Sequence, residues 1–264
     1  MKKFFKAIKN FFNSLTATAE PNRTTKPEEI ITSPGFSFIP VFFWVVGHNA
    51  YAKGTRNELN DEYEYDFSFR CGDKFLSVMD LLCPNIPVFK LLRPIGKYSH
   101  QVRSIKNAIK KITNKMRSYG LNSHFNDGGG KGNENLILKN SKDNFDNLLA
   151  DLLSNALEVC LGIPQRRNDG VFEITESHNG GGMLGGMADV NCVSSIIEPT
   201  WKRRFPESDK IFKHEDRYVR IVAETVVIIY LMRGFIKKND IKVQLRYWNI
   251  SGEKPVPRRL LIDG

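Results

Sequence analysis

The chain has 264 residues, of which 41% are hydrophobic, and it carries a formal net charge of +10 at pH 7. This length permits a core that needs neither disulfides nor metal, and the apolar and aromatic content excludes general disorder. No run of about 20 uncharged apolar residues is present, so the sequence predicts no membrane-spanning helix. The cationic excess favours a polyanionic partner, either nucleic acid phosphates or an anionic lipid surface, without choosing between them.

Residues 1–19 predict a basic amphipathic helix. Such a helix would lie peripherally at an anionic membrane surface, or dock on the chain's own body or on another subunit. A secretory signal is less favoured, because Lys6 and Lys9 interrupt the apolar stretch that a signal requires. The predicted contact residues are Lys2, Lys3, Phe4, Phe5, Lys6, Ile8, Lys9, Phe11 and Phe12.

Residues 20–35 are rich in proline and polar side chains, which is typical of an extended tether. The main domain, residues 36–264, should begin with a strand, because Phe36 to Val46 is aromatic and β-branched. Strict alternation from Tyr63 to Phe69 predicts a second strand with an acidic outer face.

Three later segments predict helices. Ser99 to Tyr119 has apolar residues at three-and-four spacing and Gly120 as its stop, and Ser141 to Leu161 has the same spacing before Gly162. Tyr218 to Met232 favours a helix, although its β-branched residues also suit a strand.

The remaining segments complete the predicted fold class, which is α+β with amphipathic helices and mainly antiparallel strands. Gly180 to Gly186 predicts a hinge or a tightly turned segment, which could divide the domain into two lobes near residues 178–187. Alternation from Ile241 to Tyr247 predicts a last strand with a cationic outer face.

The helix from Ser99 to Tyr119 has no acidic residue on its polar surface, which favours contact with a polyanion over a plain solvated face. A second cationic group stands between Trp201 and Phe205. The predicted polyanion contacts are Arg103, Lys106, Lys110, Lys111, Lys115, Arg117, Lys202, Arg203 and Arg204.

The four cysteines form no CxxC pair and no Cys/His cluster with the spacing of a zinc site, so we predict neither a metal nor a cofactor. They indicate reduced, mostly buried thiols and a cytoplasmic protein. Cys192 would be a nucleophile only if His124 or His178 lay beside it, and a buried structural cysteine is the favoured alternative.

Two further patterns match no defined site. Three carboxylates could hold Mg²⁺, but their spacing fits no nuclease pattern: Asp169, Glu173 and Glu176. The glycine loop at residues 128–132 lacks the spacing of a phosphate-binding loop, and no small-molecule substrate is identified.

The leading hypothesis is therefore a non-enzymatic structural or assembly protein. It would associate with an anionic surface, membrane or nucleic acid, and with protein partners or other copies of itself. The alternative is a nucleic-acid-processing enzyme or a cysteine hydrolase with a basic face that guides the substrate.

Overall fold

The computed structural model describes residues 38–248, except 59, 126–131, 140, 142, 167–168 and 200–205. The described strands are β1 (Val41–Val46), β2 (Val88–Leu91), β3 (Ser118–Ser123), β4 (Glu134–Leu138), β5 (Val171–Ile174) and β6 (Cys192–Glu198). The described helices are α1 (Glu64–Leu82), α2 (Tyr98–Thr113), α3 (Phe145–Leu161), α4 (Gly181–Ala188), α5 (Pro206–Lys213) and α6 (Glu215–Met232). The predicted N-terminal helix and tether lie outside the described residues, and their boundaries stay predictions.

The six strands form one mixed sheet in the order β2-β1-β3-β6-β4-β5. Strands β1, β2, β3 and β6 are parallel, β4 is antiparallel to β6, and β5 is parallel to β4. The predicted combination of helices and strands is confirmed as an α/β fold. Its strand pairs are mainly parallel where mainly antiparallel pairs were expected, because long crossovers containing helices, rather than tight hairpins, join most strands.

Helices cover both faces of the sheet, which explains the unbroken apolar run of β1. Phe42 and Trp44 belong to the larger core, formed with α1, α3 and α6. Phe43 and Val45 belong to the smaller core, formed with α2 and α4. Successive side chains of a strand point to opposite faces, so a strand between two helical layers needs apolar residues at every position.

Several predicted elements are present. The predicted first strand corresponds to β1, and α6 is the helix that the sequence favoured. Helix α3 ends at Gly162, whose φ of 62° gives the expected left-handed cap. Helix α2 ends at Thr113, earlier than predicted, because Asn114 and Lys115 have positive φ and the chain then enters β3.

The prediction of a strand from Tyr63 to Phe69 is wrong, because this segment begins α1. Its aromatic residues alternate, but its buried positions recur at three-and-four spacing through Glu64, Phe67, Ser68, Cys71, Gly72 and Phe75. The helical period over nineteen residues therefore prevails over the shorter alternation.

The prediction of a strand from Ile241 to Tyr247 is also wrong, because this segment is irregular. Its backbone donors pair with a side chain instead of a neighbouring strand: the N–H groups of Arg246 and Tyr247 donate to the buried Glu224 carboxylate. A single buried acceptor thus satisfies donors that a sheet ladder would otherwise have to satisfy.

The glycine-rich segment expected to be a hinge or tight turn forms helix α4. Its small residues allow close packing against α2, since a Cβ at Gly186 would lie 2.4 Å from a side-chain carbon of Val102. None of the described helices combines the length and apolar character needed to cross a membrane.

Candidate metal centre

Three polar side chains meet at the edge of the sheet where β1, β3 and β6 end. His48 follows β1 by two residues, His124 directly follows β3, and Glu64 is the first residue of α1. Parallel strands finish at the same edge, which is where α/β sheets bind ligands. The strand directions therefore bring together residues that are far apart in the sequence.

The donor atoms of His48, Glu64 and His124 lie within 4.8 Å of one another. Glu64 Oε2 is 3.1 Å from Nε2 of His48, and Glu64 Oε1 is 2.6 Å from Nδ1 of His124. We call these three residues the donor triad. Among the described residues, it is the one group of three or more His, Cys, Asp or Glu side chains that could hold a metal ion.

Two glycines create the space that the donor triad occupies. A Cβ at Gly47 would lie 2.3 Å from the carbonyl oxygen of Ser123 and 3.3 Å from Glu64 Oε1. A Cβ at Gly54, whose φ is +76°, would lie 2.6 Å from Glu64 Oε2. Any larger residue at either position would force the carboxylate or the strand ends to move.

Two members of the donor triad, Glu64 and His124, are in the protonation state that a metal needs at neutral pH. Burial opposes ionisation of Glu64, but the imidazoles of His124 and His48 outweigh it and lower the pKa of this carboxyl to about 2. Burial, aided by Arg93 and opposed by Glu64, lowers the pKa of His124 to about 4. At pH 7 the carboxylate is therefore charged and the His124 ring is neutral.

These residues fit a metal ion. Glu64 Oε1 is buried and has no hydrogen-bond partner among the described residues, although a ring nitrogen lies beside it. A buried carboxylate oxygen without a partner is costly unless a cation or donor occupies its free lone pairs. Two histidines with one glutamate form a common donor set of catalytic zinc, whose remaining position is open to water or substrate.

Arg93 contacts the other nitrogen of one triad histidine. It lies two residues beyond β2, it is buried, and its Nη2 is 2.7 Å from Nε2 of His124. Donation to Nε2 places the proton of the neutral ring on Nδ1. Because ligation through Nδ1 would move that proton to Nε2, Arg93 would have to leave this nitrogen when a metal binds.

Glu198 stands beside the donor triad as the last residue of β6. The N–H of His124 donates to the carbonyl oxygen of Ile197, so His124 and Glu198 lie on adjacent strand ends. Burial, with the charges of Glu134 and Glu64, raises the pKa of the Glu198 carboxyl well above its usual range, against the opposing effect of Arg166. A carboxyl group with raised proton affinity beside a metal site suits general acid–base work.

The residues predicted as a cysteine site are not brought together. Cys192 begins β6, so it lies roughly 17 Å along the strands from the end that carries His124. It is fully buried, and burial raises the pKa of its thiol to about 12. His178 lies in an exposed turn, where its Nδ1 accepts from the N–H of Thr175 at 3.2 Å. All four cysteines are free and buried, as the sequence indicated.

The predicted polyanion face is partly neutralised within the fold. Lys106 forms an ion pair with Asp189 at 2.6 Å, and Arg117 pairs with Asp143. Acidic residues of other elements therefore pair with two of the cations predicted to contact a polyanion. The second cationic group, residues 202–204, lies outside the described residues.

The other sequence candidates form no centre. The Asp169 carboxylate accepts from the N–H of Val171, the Glu173 side chain is exposed, and Glu176 packs against Gly185. Most of the glycine loop lies outside the described residues. Sequence reasoning missed His48, Glu64 and Glu198. The available signal was the position of His48 and His124, each within two residues of the end of a strand.

Solved structures share this fold. An N-acetylmuramoyl-L-alanine amidase from Neisseria meningitidis is 15% identical, with a TM-score of 0.54 over 74% of this chain and 96% of that chain. CwlV from Bacillus (Paenibacillus) polymyxa var. colistinus is also an N-acetylmuramoyl-L-alanine amidase. Its catalytic domain is 16% identical, with a TM-score of 0.54 over 75% of this chain and 100% of that chain. The CwlD amidase of Clostridioides difficile, in complex with the GerS lipoprotein, is 15% identical, with a TM-score of 0.51 over 74% of this chain and 98% of that chain. No protein-family model and no curated protein matches the sequence.

These findings correct the functional hypothesis drawn from the sequence. The similar solved structures described above are amidases, and this finding contradicts the hypothesis of a non-enzymatic scaffold or assembly protein. Neither nucleic acid binding nor an anionic lipid surface finds support in them. The cysteine hydrolase is also excluded, because Cys192 is inaccessible and lies at the opposite end of the strands from His124.

Proposed function

We propose that this chain is a metal-dependent amidase that hydrolyses the amide bond between N-acetylmuramic acid and L-alanine in peptidoglycan. The observation that carries this proposal is the meeting of the donor triad with Glu198 at one edge of the sheet. The fold shared with N-acetylmuramoyl-L-alanine amidases supports the choice of this amide as the substrate.

The donor triad would hold the metal, with one carboxylate and two imidazoles as ligands. A zinc ion bound there would polarise the scissile carbonyl and lower the pKa of a water molecule. Glu64 supplies the negative charge, and its position at the first turn of α1 places that charge at the positive end of the helix dipole. The carboxylate is therefore kept ionised by its own surroundings.

Glu198 would carry the proton through the reaction. Its carboxylate takes a proton from the attacking water, so that the new C–O bond forms at the amide carbon. The same group then gives that proton to the amide nitrogen as the C–N bond breaks, which yields a carboxylic acid and an amine. Its raised pKa suits both halves of this transfer, since a weakly basic carboxylate would accept the proton poorly.

Hydrolysis of N-acetylmuramoyl-L-alanyl-D-isoglutamine by the zinc-loaded full chain tests the proposal. We expect release of the dipeptide, its loss on chelation and its return when zinc is restored. Glu198→Gln should lower kcat by about 10²–10⁴-fold with unchanged zinc content, because the variant keeps the shape and removes the proton acceptor.

Glu173→Gln is the matched control, since it makes the same change at an exposed carboxylate on β5. Its kcat should equal that of the wild type. No dipeptide release by the zinc-loaded wild type, on the soluble substrate or on purified peptidoglycan, would refute the proposed activity.

A protein partner belongs to this proposal as well. One similar structure is an amidase in complex with a lipoprotein, and the sequence itself suggested protein partners. Light scattering coupled to size-exclusion chromatography measures self-association, and a mass equal to that of one chain would exclude it at the concentration used.

A further inference from the structure

A second carboxylate lies opposite Glu198 in the sheet. Strand β4 runs antiparallel to β6, and their register pairs Glu134 with Glu198. Directly opposed residues of an antiparallel pair project from the same face with their Cβ atoms close together, so two carboxylates at these positions repel one another. The antiparallel direction of β4 is what places the start of this strand, rather than its end, at the metal edge.

The two carboxylates have different surroundings. Glu134 is buried and forms an ion pair with Arg166, whose Nη1 donates to Glu134 Oε2. The Glu198 carboxyl group makes no hydrogen bond or ion pair with any other described residue. One member of the opposed pair therefore has a cation as its partner, while the other faces that ion pair from the neighbouring strand.

The backbone holds Arg166 in this place. Its N–H donates to the carbonyl oxygen of Asn133 at 3.0 Å, and the N–H of Asn133 donates to the carbonyl oxygen of Pro164 at 2.8 Å. The Asn133 side chain donates to the carbonyl oxygens of Ile163 and Pro164. The segment that carries Arg166 is thus fastened to the residue just before Glu134, so the ion pair is a fixed part of the sheet edge.

The charged groups around Glu198 come from four elements. Glu134 on β4 and Glu64 on α1 are negative, Arg166 in the segment after α3 is positive, and His124 after β3 is a triad ligand. Burial and the two carboxylates favour the protonated form of Glu198, and Arg166 opposes them. A divalent cation on the triad would act in the same direction as Arg166.

We propose that Glu134 and Arg166 are positioning residues that act on Glu198 from the neighbouring strand, through the ion pair that they place opposite its carboxyl group. This inference rests on the role given to Glu198 in the proposed function. Neither residue needs to touch the substrate. The Glu134–Arg166 ion pair acts on Glu198 from β4, the strand next to β6.

Carboxyl ¹³C NMR titration of glutamate-labelled, metal-free protein tests the inference without any substrate. Glu198→Gln identifies the Glu198 signal. We expect Glu134→Gln to lower the pKa of Glu198 by roughly one unit, because it removes the facing negative charge, and Arg166→Met to raise it by a similar amount. Glu173→Gln and Arg103→Met, the same substitutions at exposed positions away from this edge, should leave the signal unmoved.

Opposite shifts from the two variants would support the inference, since general damage to the fold would not move one titration in two directions. Equal or absent shifts would overturn it. If Glu134→Gln fails to fold, the upward shift in Arg166→Met still decides the matter.

The acidic limb of the pH–kcat profile provides a second readout with zinc bound. It should move down with Glu134→Gln and up with Arg166→Met. Opposite NMR shifts in a wild type that releases no dipeptide would leave the inference standing and refute the amidase. Dipeptide release by the wild type, with an unmoved Glu198 titration in both variants, would support the amidase and refute the inference.

Discussion

The two ends of the central sheet treat charged side chains differently. At the end where β6 begins, acidic residues face cations: Asp189 pairs with Lys106, and Asp143 pairs with Arg117 and Arg233. At the end where β6 finishes, Glu64 and Glu198 have no lysine or arginine partner among the described residues. Compensated charges hold a fold together, whereas adjacent uncompensated ones in a buried site are typical of a place kept for a ligand or for proton transfer.

The largest expected effect is the loss of metal when the triad is broken. His124→Ala should weaken zinc binding by more than about 100-fold, because it removes a ligand, and loss of even an outer-shell partner costs about 10–100-fold. Competition with a chromophoric chelator measures this affinity. His178→Ala, the same change in the exposed turn after β5, should bind zinc as the wild type does. Equal zinc affinities in His124→Ala and His178→Ala would contradict a metal site at the end of the sheet where β6 finishes.

The next effect is a loss of stability on acidification of the metal-free protein. The folded-state pKa of His124, about 4, lies below the unfolded value of 6.5, so the unfolded chain binds the proton first. This contribution is complete above pH 6.5 and disappears as the pH falls towards 4, and that of Glu64 disappears between 4.5 and about 2.

Urea unfolding at about pH 7 and about pH 4.5 should show a difference of roughly 2–3 kcal/mol that His124→Ala abolishes. His178→Ala should retain the wild-type difference. A difference that persists without His124 would assign the acid sensitivity to another part of the molecule.

The smallest effect belongs to the compensated end. The Lys106–Asp189 pair is largely exposed, with side-chain exposures of 37% and 61%. Lys106→Gln should therefore lower the free energy of unfolding by less than about 1 kcal/mol, and salt should reduce that effect further. Thermal unfolding at low and high salt measures it. If Lys106→Gln lowers the free energy of unfolding by as much as the acidification of His124 does, these exposed ion pairs also contribute strongly to stability.

The elements that could be predicted are those with one dominant period. Helix α3 repeats its apolar residues at three-and-four spacing until Gly162, and β1 is apolar at every position. Helix α1 could not be predicted by the same means, because alternate aromatic residues at its start imitate a strand. The segment after Asp240 failed for a different reason, since the acceptor of its backbone donors, Glu224, is on a helix.

The site was beyond local pattern reading, because its members come from four elements. His48 and Glu64 are separated by a loop, His124 follows another strand, and Glu198 ends a third. Only the parallel order of β1, β3 and β6 brings them together, and that order depends on long-range pairing. Sequence spacing was informative for the cysteines, where it correctly predicted free thiols.

The register of β1 with β3 has a consequence for how the molecule could diversify. Val46 is paired with Ser123, so His48 and His124 follow the paired ends of two adjacent strands, and Gly47 packs against His124. Their separation is thus inherited from the ladder and not from the surrounding surface loops. Exchange of surface loops that contain neither a triad residue nor Gly54 should therefore leave the spacing of the two histidines unchanged.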